Sequence, residues 1–263
     1  VPRFLELFGS LGLKATFFVV ASDLLRSGPR SVAAEAVRQG HELASHTFSH
    51  PYNLIYLPLR RVEDELARAE DLISTVSGEP VVGFRAPGYN ITRSILLQLA
   101  ERGYLYDSSL FPCPAYYAAR AAVIGGMRLR GRQSSSIVGR PLHSLTPRGP
   151  HRRAGLVEFP MTVLPGIRFP LIGTSLTLLG RVGVSALRPA LSLMGFVNLE
   201  LHAVDLLDHR DVPEGLAQHQ PDLRTSFEDK AAVFRRFLEL AARGRTNGTL
   251  QALAGSYSEP RGS

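Results

Sequence analysis

Short apolar runs alternate with longer amphipathic segments through much of this chain, and that order limits the possible folds more than any other feature. The apolar runs have the length of buried strands, whereas the amphipathic segments repeat apolar residues at helical spacing. The predicted strands are ATFFVVA (15–21), HELASH (41–46), VVGF (81–84), YLYDSS (104–109) and FVNLEL (196–201). Strands that alternate with helices favour a parallel barrel or a doubly wound sheet, which are both α/β folds.

The predicted helices carry recognisable start and stop signals. PRFLELFGSLGLK has the pattern of the last part of a helix, and PRSVAAEAVRQG is a helix that ends at Gly40. LRRVEDELARAEDLISTVSG ends at Gly78, and Thr92 is the predicted N-cap of the helix in ITRSILLQLAERG. No apolar run reaches the roughly 18 residues of a membrane span, and the N-terminus lacks the pattern of a signal peptide. We therefore expect a soluble globular domain.

Polar residues of unusual type accompany four of the predicted strands. His46 and His50 follow the second strand, Arg85 follows the third, Asp107 lies in the fourth, and His202 follows the fifth. Each residue alone has an ordinary structural explanation, such as a hydrogen-bonding histidine, an ion-pairing arginine or an aspartate that caps a turn. Ligands gather at the carboxyl ends of parallel strands, so the combination in this order favours a functional site.

Five segments together resemble the polysaccharide deacetylase family, the NodB-homology or family 4 carbohydrate esterases. They are KATFFVV, GHELASHTFSHP, GFRAPGYN, GYLYDSS and LELHAVD. The resemblance covers residues 1 to about 112 and resumes over about 157–255, and it implies one domain over residues 1–263 that forms a distorted (β/α) barrel with fewer than eight repeats. It also implies removal of N-acetyl, less often O-acetyl, groups from a sugar polymer or glycoconjugate by a divalent metal, commonly zinc.

The resemblance implies a role for each polar residue. The roles are metal ligands for His46 and His50, general acid for His202, positioning of the base carboxylate for Arg85, support of the acid histidine for Asp107, and substrate or oxyanion binding for Gly88 and Tyr89. Amide hydrolysis needs an activated water, a stabilised oxyanion and a proton for the leaving amine, which these residue types can supply. Because Cys113 is the only cysteine, histidine and carboxylate must hold any metal.

The acidic pair that this family uses as catalytic base and third metal ligand is missing from the sequence. Members of the family carry consecutive aspartates in a Thr-Phe-Asp-Asp-Gly strand, and no Phe-Asp-Asp occurs here. Asp23 does not lie where the motif needs a carboxylate. We therefore expect the chain to start inside the first helix, with the first strand absent. Two interpretations stay open: a fragment of an active enzyme, or a protein that lacks the strand and retains a binding role.

Two further functions are carried as alternatives to deacetylation. The sequence YDSS stands where the family usually has Asp-x-x-Asp-Trp, and it also resembles allantoinase-like hydrolases, which cleave other carbon–nitrogen bonds of amide or imide type. The second alternative is a glycan-binding protein without catalytic activity that uses the same groove.

The positive charge of the chain is concentrated in one stretch. Residues 108–157 contain eight arginines, no lysine and no acidic residue, whereas the rest of the chain has 22 basic and 23 acidic residues. The stretch predicts an insertion at about 113–155 that recognises an anionic or membrane-associated substrate. The alternative is a solvated insertion in a chain with 28 arginines and only 2 lysines. Nucleic acid is not favoured as a partner, because the stretch has no recognisable binding motif.

We predict that the coding DNA upstream of Val1, read in frame, encodes an apolar strand that ends in Asp-Asp or Asp-Glu followed by Gly. The strand should lie within roughly ten residues of Val1, because a closed barrel without its first strand has two open edges. Restoring it should give tight zinc binding and a deacetylase activity that His202→Ala greatly reduces. A stop codon directly upstream, or a strand without the acidic pair, would instead favour the glycan-binding interpretation.

Overall fold

The computed structural model of this protein describes residues 1–134, 136–213 and 221–258. The chain divides into two compact units, which are described separately. The helical unit comprises Val1–Leu13 and Met161–Asn247, and the sheet unit comprises Lys14–Pro160 and Gly248–Ser263. The single domain with an arginine-rich insertion stays a prediction.

The described residues form helices and short strands in alternating order, as the sequence predicts. The α-helices are α1 (Pro2–Ser10), α2 (Ser27–Arg38), α3 (Leu59–Ser77), α4 (Arg93–Glu101), α5 (Pro114–Leu129), α6 (Gly173–Ala186), α7 (Arg188–Ser192), α8 (Phe227–Ala242) and α9 (Leu250–Ser258). The strands are β1 (Thr16–Val19), β2 (Glu42–Ser45), β3 (Gly83–Phe84), β4 (Tyr106–Asp107), β5 (His151–Arg153) and β6 (Leu156–Glu158).

The strands of the sheet unit form one sheet in the order β1-β2-β3-β4-β6-β5. Every neighbouring pair is parallel except β5 and β6, which are antiparallel. The first four predicted strands each contain an observed strand, so the predicted α/β class is confirmed. At the carboxyl ends one row of register partners crosses five strands, namely Val19, Ser45, Phe84, Asp107 and Glu158.

The helix ends follow the signals in the sequence. Gly78 ends α3 with a φ of 74°, a left-handed conformation that glycine adopts at no steric cost, and its N–H donates to Ser74 O. The Thr92 hydroxyl caps α4 by accepting from the Ile95 N–H at 3.3 Å. In α3 one apolar stripe is buried at helical spacing, and its members are Val62, Leu66, Ala69 and Ile73.

A buried carboxyl group joins α9 to the sheet. Glu42 on β2 accepts from the hydroxyls of Thr16 at 2.6 Å and Tyr106 at 2.7 Å, and from the Gln251 N–H at 3.0 Å. Burial raises the pKa of Glu42, and these donors oppose that effect. The polar groups of β1, β2, β4 and α9 thus satisfy one another inside the sheet unit.

Gly83 on β3 has no side chain because Tyr106 of the neighbouring strand lies across it. A Cβ at this position would come within 2.0 Å of the Tyr106 hydroxyl oxygen. Tyr106 is fully buried, and its ring also packs against Phe159 with 5.5 Å between centroids. The close approach of β3 and β4 therefore requires glycine here.

In the helical unit the predicted strand over 196–201 is not observed as a strand. Its backbone instead makes single contacts with two separate segments: Thr162 N–H donates to Asn198 O, and Gly173 N–H donates to Glu200 O, each at 3.0 Å. The only bridge there pairs Ile172 with Glu200. The prediction was wrong because the hydropathy pattern indicates extended backbone, but it does not show whether one neighbouring strand pairs along the whole run. Within the described ranges of both units, none of the helices has the length and apolarity that crossing a bilayer requires.

We predict that Gly83→Ala destabilises the protein by about 1–3 kcal/mol, since the added methyl overlaps Tyr106 in a closely packed core. Gly125 in α5 is a matched control because a Cβ there meets nothing within 4 Å. Gly125→Ala should leave stability unchanged or raise it by up to about 1 kcal/mol. Urea unfolding of the two variants measures both effects. Equal midpoints for Gly83→Ala and wild type would contradict the packing argument.

Candidate active site

His46 and His50 lie together at the carboxyl end of β2. Their ring centroids are 4.7 Å apart, and both side chains are half-buried. His46 Nδ1 lies 2.7 Å from the Arg85 carbonyl oxygen. Because a carbonyl only accepts, Nδ1 carries the proton, and Nε2 holds the lone pair that a metal would use. His46 thus has the tautomer that a metal ligand needs, and the role of both histidines as ligands stays a prediction.

The loop between the two histidines has an unusual backbone conformation. Thr47 and His50 have φ values of 67° and 59°, in the left-handed region that non-glycine residues rarely occupy. The buried Thr47 hydroxyl accepts from the His50 N–H at 3.0 Å and so holds the turn. Such conformations cost roughly 1–3 kcal/mol each and cluster at functional sites.

Arg85 follows β3 and is fixed from two sides. Its Nε donates to Ser108 O at 2.9 Å, and its Nη2 donates to Ser108 Oγ at 2.8 Å. The guanidinium also lies over the Phe18 ring, with its central carbon 4.1 Å from the centroid. The residue is buried, so the charge depends on these contacts. Its role in positioning a base carboxylate stays a prediction.

Gly88 and Tyr89 form a tight turn after Arg85, with φ values of 64° and 62°. Tyr89 N–H donates to Ala86 O, whereas the Gly88 N–H donates to no group in the described part of the chain. The Tyr89 ring is buried and packs against Phe111, with centroids 5.0 Å apart. The Gly88 N–H is thus the group of this turn that suits an oxyanion, while the Tyr89 side chain belongs to the core.

Two residues that the sequence did not single out lie beside this turn. The Tyr52 ring packs edge-on against His50, with 4.7 Å between centroids. Arg120 of α5 donates from Nη1 to Gly88 O at 2.9 Å and to Tyr116 Oη at 3.1 Å. A Cβ on Gly88 would meet Arg120 Nη2 at 2.9 Å and Tyr52 Cδ1 at 3.2 Å. The absence of a Gly88 side chain therefore lets α5 approach the histidine loop.

Asp107 forms a buried carboxyl pair with Glu158, its register partner on β6. Ser109 Oγ donates to Asp107 Oδ1 at 2.5 Å, and Leu110 N–H donates to Glu158 Oε1 at 3.0 Å. Burial raises the pKa of both carboxyls, and the Asp107 charge raises that of Glu158 further. The folded chain therefore holds protons on these carboxyls more tightly than the unfolded chain does. The sequence analysis did not identify Glu158, because an acidic residue after a short apolar run carries no signal that it pairs with Asp107.

His202 lies in the helical unit, where its side chain is exposed. Its backbone N–H donates to Asp205 Oδ2 at 2.6 Å, and its Nδ1 lies 4.0 Å from the same oxygen. Burial raises the pKa of Asp205, whose carboxylate lies against Gly173, where a Cβ would come within 2.1 Å of Oδ2. The partner of His202 within its unit is thus Asp205. The acid role of His202, and the support by Asp107, stay predictions.

The histidine pair fits two positions of a metal centre. Catalytic zinc takes three protein ligands and leaves one position for water or substrate. Among the described residues, no group of three histidine, cysteine, aspartate or glutamate side chains is placed to hold an ion. The described residues thus supply two imidazoles and no group of three metal donors. The His46 imidazole also bonds the Arg85 backbone carbonyl through Nδ1.

The family model described as polysaccharide deacetylase matches residues 1–106, which contain both histidines and the Arg85–Tyr89 segment. This chain is thus similar to the polysaccharide deacetylase family over residues 1–106. It is 33% identical over 113 residues to the peptidoglycan deacetylase of Helicobacter pylori and 31% identical over 112 residues to a peptidoglycan deacetylase-like protein of Gibberella zeae. Each match covers 42% of this chain, but only 36% and 32% of those proteins, so the chain spans about a third of these relatives.

Solved structures confirm the predicted barrel-type α/β fold. A putative polysaccharide deacetylase from Mycobacterium smegmatis superposes with a TM-score of 0.59 at 20% identity, covering 100% of this chain and 79% of that one. The Bc1960 peptidoglycan N-acetylglucosamine deacetylase gives 0.53 at 13%, covering 95% and 79%. Puue allantoinase gives 0.53 at 15%, covering 97% and 70%. These likenesses establish the fold.

We predict that this chain binds zinc weakly through His46 and His50. His50→Ala should reduce the affinity more than about tenfold, whereas His209→Ala, at an exposed position of the helical unit, should not. Binding should also weaken between about pH 7.5 and about pH 5.5, because protons compete with the metal for imidazole. Isothermal titration of the three proteins measures this. Equal zinc binding by wild type and His50→Ala would remove the assignment.

A second prediction concerns the stability of the folded chain. Because the folded state holds the Glu158 proton more tightly than the unfolded chain, stability should fall as pH rises above about 4.3, by up to about 1.4 kcal/mol per pH unit. Glu158→Gln keeps a donor toward Asp107 and cannot ionise. This variant should therefore match wild type near pH 4 and exceed it near pH 8. Urea unfolding at both pH values, with exposed Glu101→Gln as the control, tests this. Parallel pH curves for wild type and Glu158→Gln would show that the proton is not held there.

Proposed function

We propose that this protein hydrolyses N-acetyl groups on a glycan or glycoconjugate with a divalent metal, zinc being the first expectation. The observation that supports it most is the His46–His50 pair, with Nδ1 of His46 bonded to the Arg85 carbonyl. Both motifs fall inside the family match, and the chain resembles proteins named for peptidoglycan deacetylation. Polar residues in strained loops at the carboxyl ends of parallel strands add to the proposal.

His46 and His50 would hold the metal, which when bound polarises the amide carbonyl and lowers the pKa of water. The Gly88 N–H would donate to the developing oxyanion. His202 would give a proton to the departing amine nitrogen as the carbon–nitrogen bond breaks. Arg85, fixed by Ser108 and Phe18, would orient the carboxylate that accepts the proton of the attacking water.

The test is acetate release from N-acetylglucosamine oligomers by the zinc-loaded protein with the upstream strand and its acidic pair restored. Removing a general acid costs on the order of 10²–10⁴-fold in rate, so His202→Ala should lose activity on this scale. His209→Ala, another exposed histidine of the same unit, is the matched control and should retain activity. Full activity of His202→Ala would show that another group supplies the proton.

A glycan-binding protein without catalysis is the second candidate. The observation that favours it is the absence of a third metal donor among the described residues. Such a protein would bind N-acetylglucosamine oligomers, as measured by calorimetry, and release no acetate with or without zinc. Hydrolysis of allantoin without acetate release from the oligomers would instead support the allantoinase-like alternative.

The arginine-rich segment bears on the choice of substrate through Arg120. Its Nη1 is bonded to Gly88 O, while its Nε and Nη2 donate to no group in the described residues. A guanidinium edge beside the Gly88 turn suits a carboxylate or phosphate, which it binds in a two-pronged geometry. We propose that the glycan carries such a group close to the N-acetyl that is cleaved.

We predict that Arg120→Gln raises KM for an acidic peptidoglycan fragment roughly tenfold relative to a neutral N-acetylglucosamine oligomer. The ratio of kcat/KM for the two substrates is the readout, because it cancels any loss from the altered Gly88 turn. Arg128→Gln, in the exposed last turn of α5, is the control and should leave the ratio unchanged. If Arg120→Gln lowers both values equally, Arg120 only holds the turn.

A further inference from the structure

Residues 108–199 are almost free of negative charge. This range holds eleven arginines, no lysine and one acidic residue, Glu158, which is fully buried. The rest of the chain has 19 basic and 22 acidic residues, a nearly balanced mixture. The charge that this range presents to its surroundings is therefore entirely positive. Segregation of this kind is typical of a surface that faces an anionic partner.

Helix α5, at the start of this range, exposes apolar residues on its outer face. It packs inward through Tyr117 and Ile124. Before Arg128 none of its exposed positions carries a polar side chain, and these positions are Pro114, Ala115, Ala118, Ala119, Ala121, Ala122 and Val123. Leu129 at its C-terminal end is 91% exposed. Surface helices of globular proteins ordinarily place charged residues on this face.

The segment that follows α5 continues the same composition. Leu142 and Leu145 lie on a short 3-10 turn, Pro141–Leu145, and are 78% and 65% exposed. Exposed arginines flank these leucines on both sides, and they are Arg128, Arg130, Arg132, Arg140, Arg148 and Arg152. We call Val123, Leu129, Leu142, Leu145 and these six arginines, which are all exposed and lie within residues 123–152, the arginine–leucine face. Among them, Arg152 also donates from Nη2 to Tyr257 O at 2.7 Å. The face belongs entirely to the sheet unit.

The helical unit carries a face of the same kind on α6. Leu178 and Val182 are each more than four-fifths exposed, and they lie on either side of a kink at Gly180, whose φ of 62° is not helical. Exposed Arg181 lies between them, and Arg188 follows at the start of α7. No acidic residue occurs from 159 to 199. The pairing of exposed apolar and cationic side chains is thus repeated in a second, separately described unit.

We propose that the arginine–leucine face binds the surface of an anionic phospholipid bilayer, and that the α6 face does the same. Arginines alone would suit any polyanion, but exposed leucines between them gain free energy only by entering an apolar phase. A bilayer with anionic headgroups offers negative charge to the arginines and an adjoining apolar layer to the leucines. Helix α5 has 16 residues, and α6 has 14 residues with a kink at Gly180. Both are shorter than the roughly 20 residues that span a bilayer, so they would lie in the interface plane.

Co-sedimentation of the full chain with vesicles tests the proposal. Vesicles of phosphatidylcholine with about 30 mol% phosphatidylglycerol should bind the protein, and pure phosphatidylcholine vesicles should bind it far more weakly. Raising salt should weaken binding steeply, because the headgroup attraction is screened. Arg128→Gln, Arg130→Gln and Arg132→Gln together should weaken binding by roughly fivefold for each arginine. Equal binding to both kinds of vesicle, or none to either, would overturn the proposal.

The apolar contribution is tested with a matched pair of leucines. Leu145→Glu should weaken vesicle binding, whereas Leu25→Glu, at a position 66% exposed in a segment of mixed charge, should not. If only the arginine variant weakens binding, the face contacts a polyanion without inserting, and an acidic protein or polymer replaces the bilayer as partner. Leu178→Glu with Val182→Glu tests α6 by itself, and unchanged binding would remove α6 from the proposal. Acetate release is not measured, so these outcomes are independent of the proposed catalytic function.

Discussion

The hydrogen bond from His46 Nδ1 to the Arg85 carbonyl is the contact on which the candidate site depends. It joins two motifs that lie 39 residues apart in the chain, and it exists because β2 and β3 are parallel with Ser45 opposite Phe84. His46, which follows Ser45, therefore lies beside Arg85, which follows Phe84. The bond fixes the His46 ring and its Nδ1 proton, and it so orients Nε2, the nitrogen that would bind a metal.

Buried groups of both charges lie behind this contact along the same row of strand ends. Arg85 is held by Ser108, which follows β4, and by the Phe18 ring of β1. Asp107 and Glu158 supply two carboxyls on the next strands, and burial raises the pKa of both. Arg153 Nη1 lies 3.8 Å from Glu158 Oε2 and opposes this effect. Two ionised carboxylates in this place would repel each other without water to screen them.

The sequence indicated the parts of this structure that local chemistry controls. Gly78 and Thr92 mark helix ends because a left-handed turn and a hydroxyl cap depend on single residue types. His46 and Arg85 were placed at strand ends by pattern and family resemblance. Glu158 and the contact of Arg120 with Gly88 could not be predicted, because both depend on register between strands or helices far apart in sequence. The run 196–201 was mistaken for a strand for the same reason.

Helix α5 connects the two surfaces of the sheet unit that carry unusual charge. On one side Arg120 bonds the Gly88 carbonyl, next to the turn whose N–H suits an oxyanion. On the other side the same helix presents Val123 and Leu129 to solvent, with arginines and no acid nearby. One rigid element of 16 residues thus touches the candidate site and forms the proposed lipid-facing surface. A substrate anchored in an anionic bilayer would meet the Gly88 turn at a distance set by that helix, which is how a glycoconjugate rather than a free polymer would be selected.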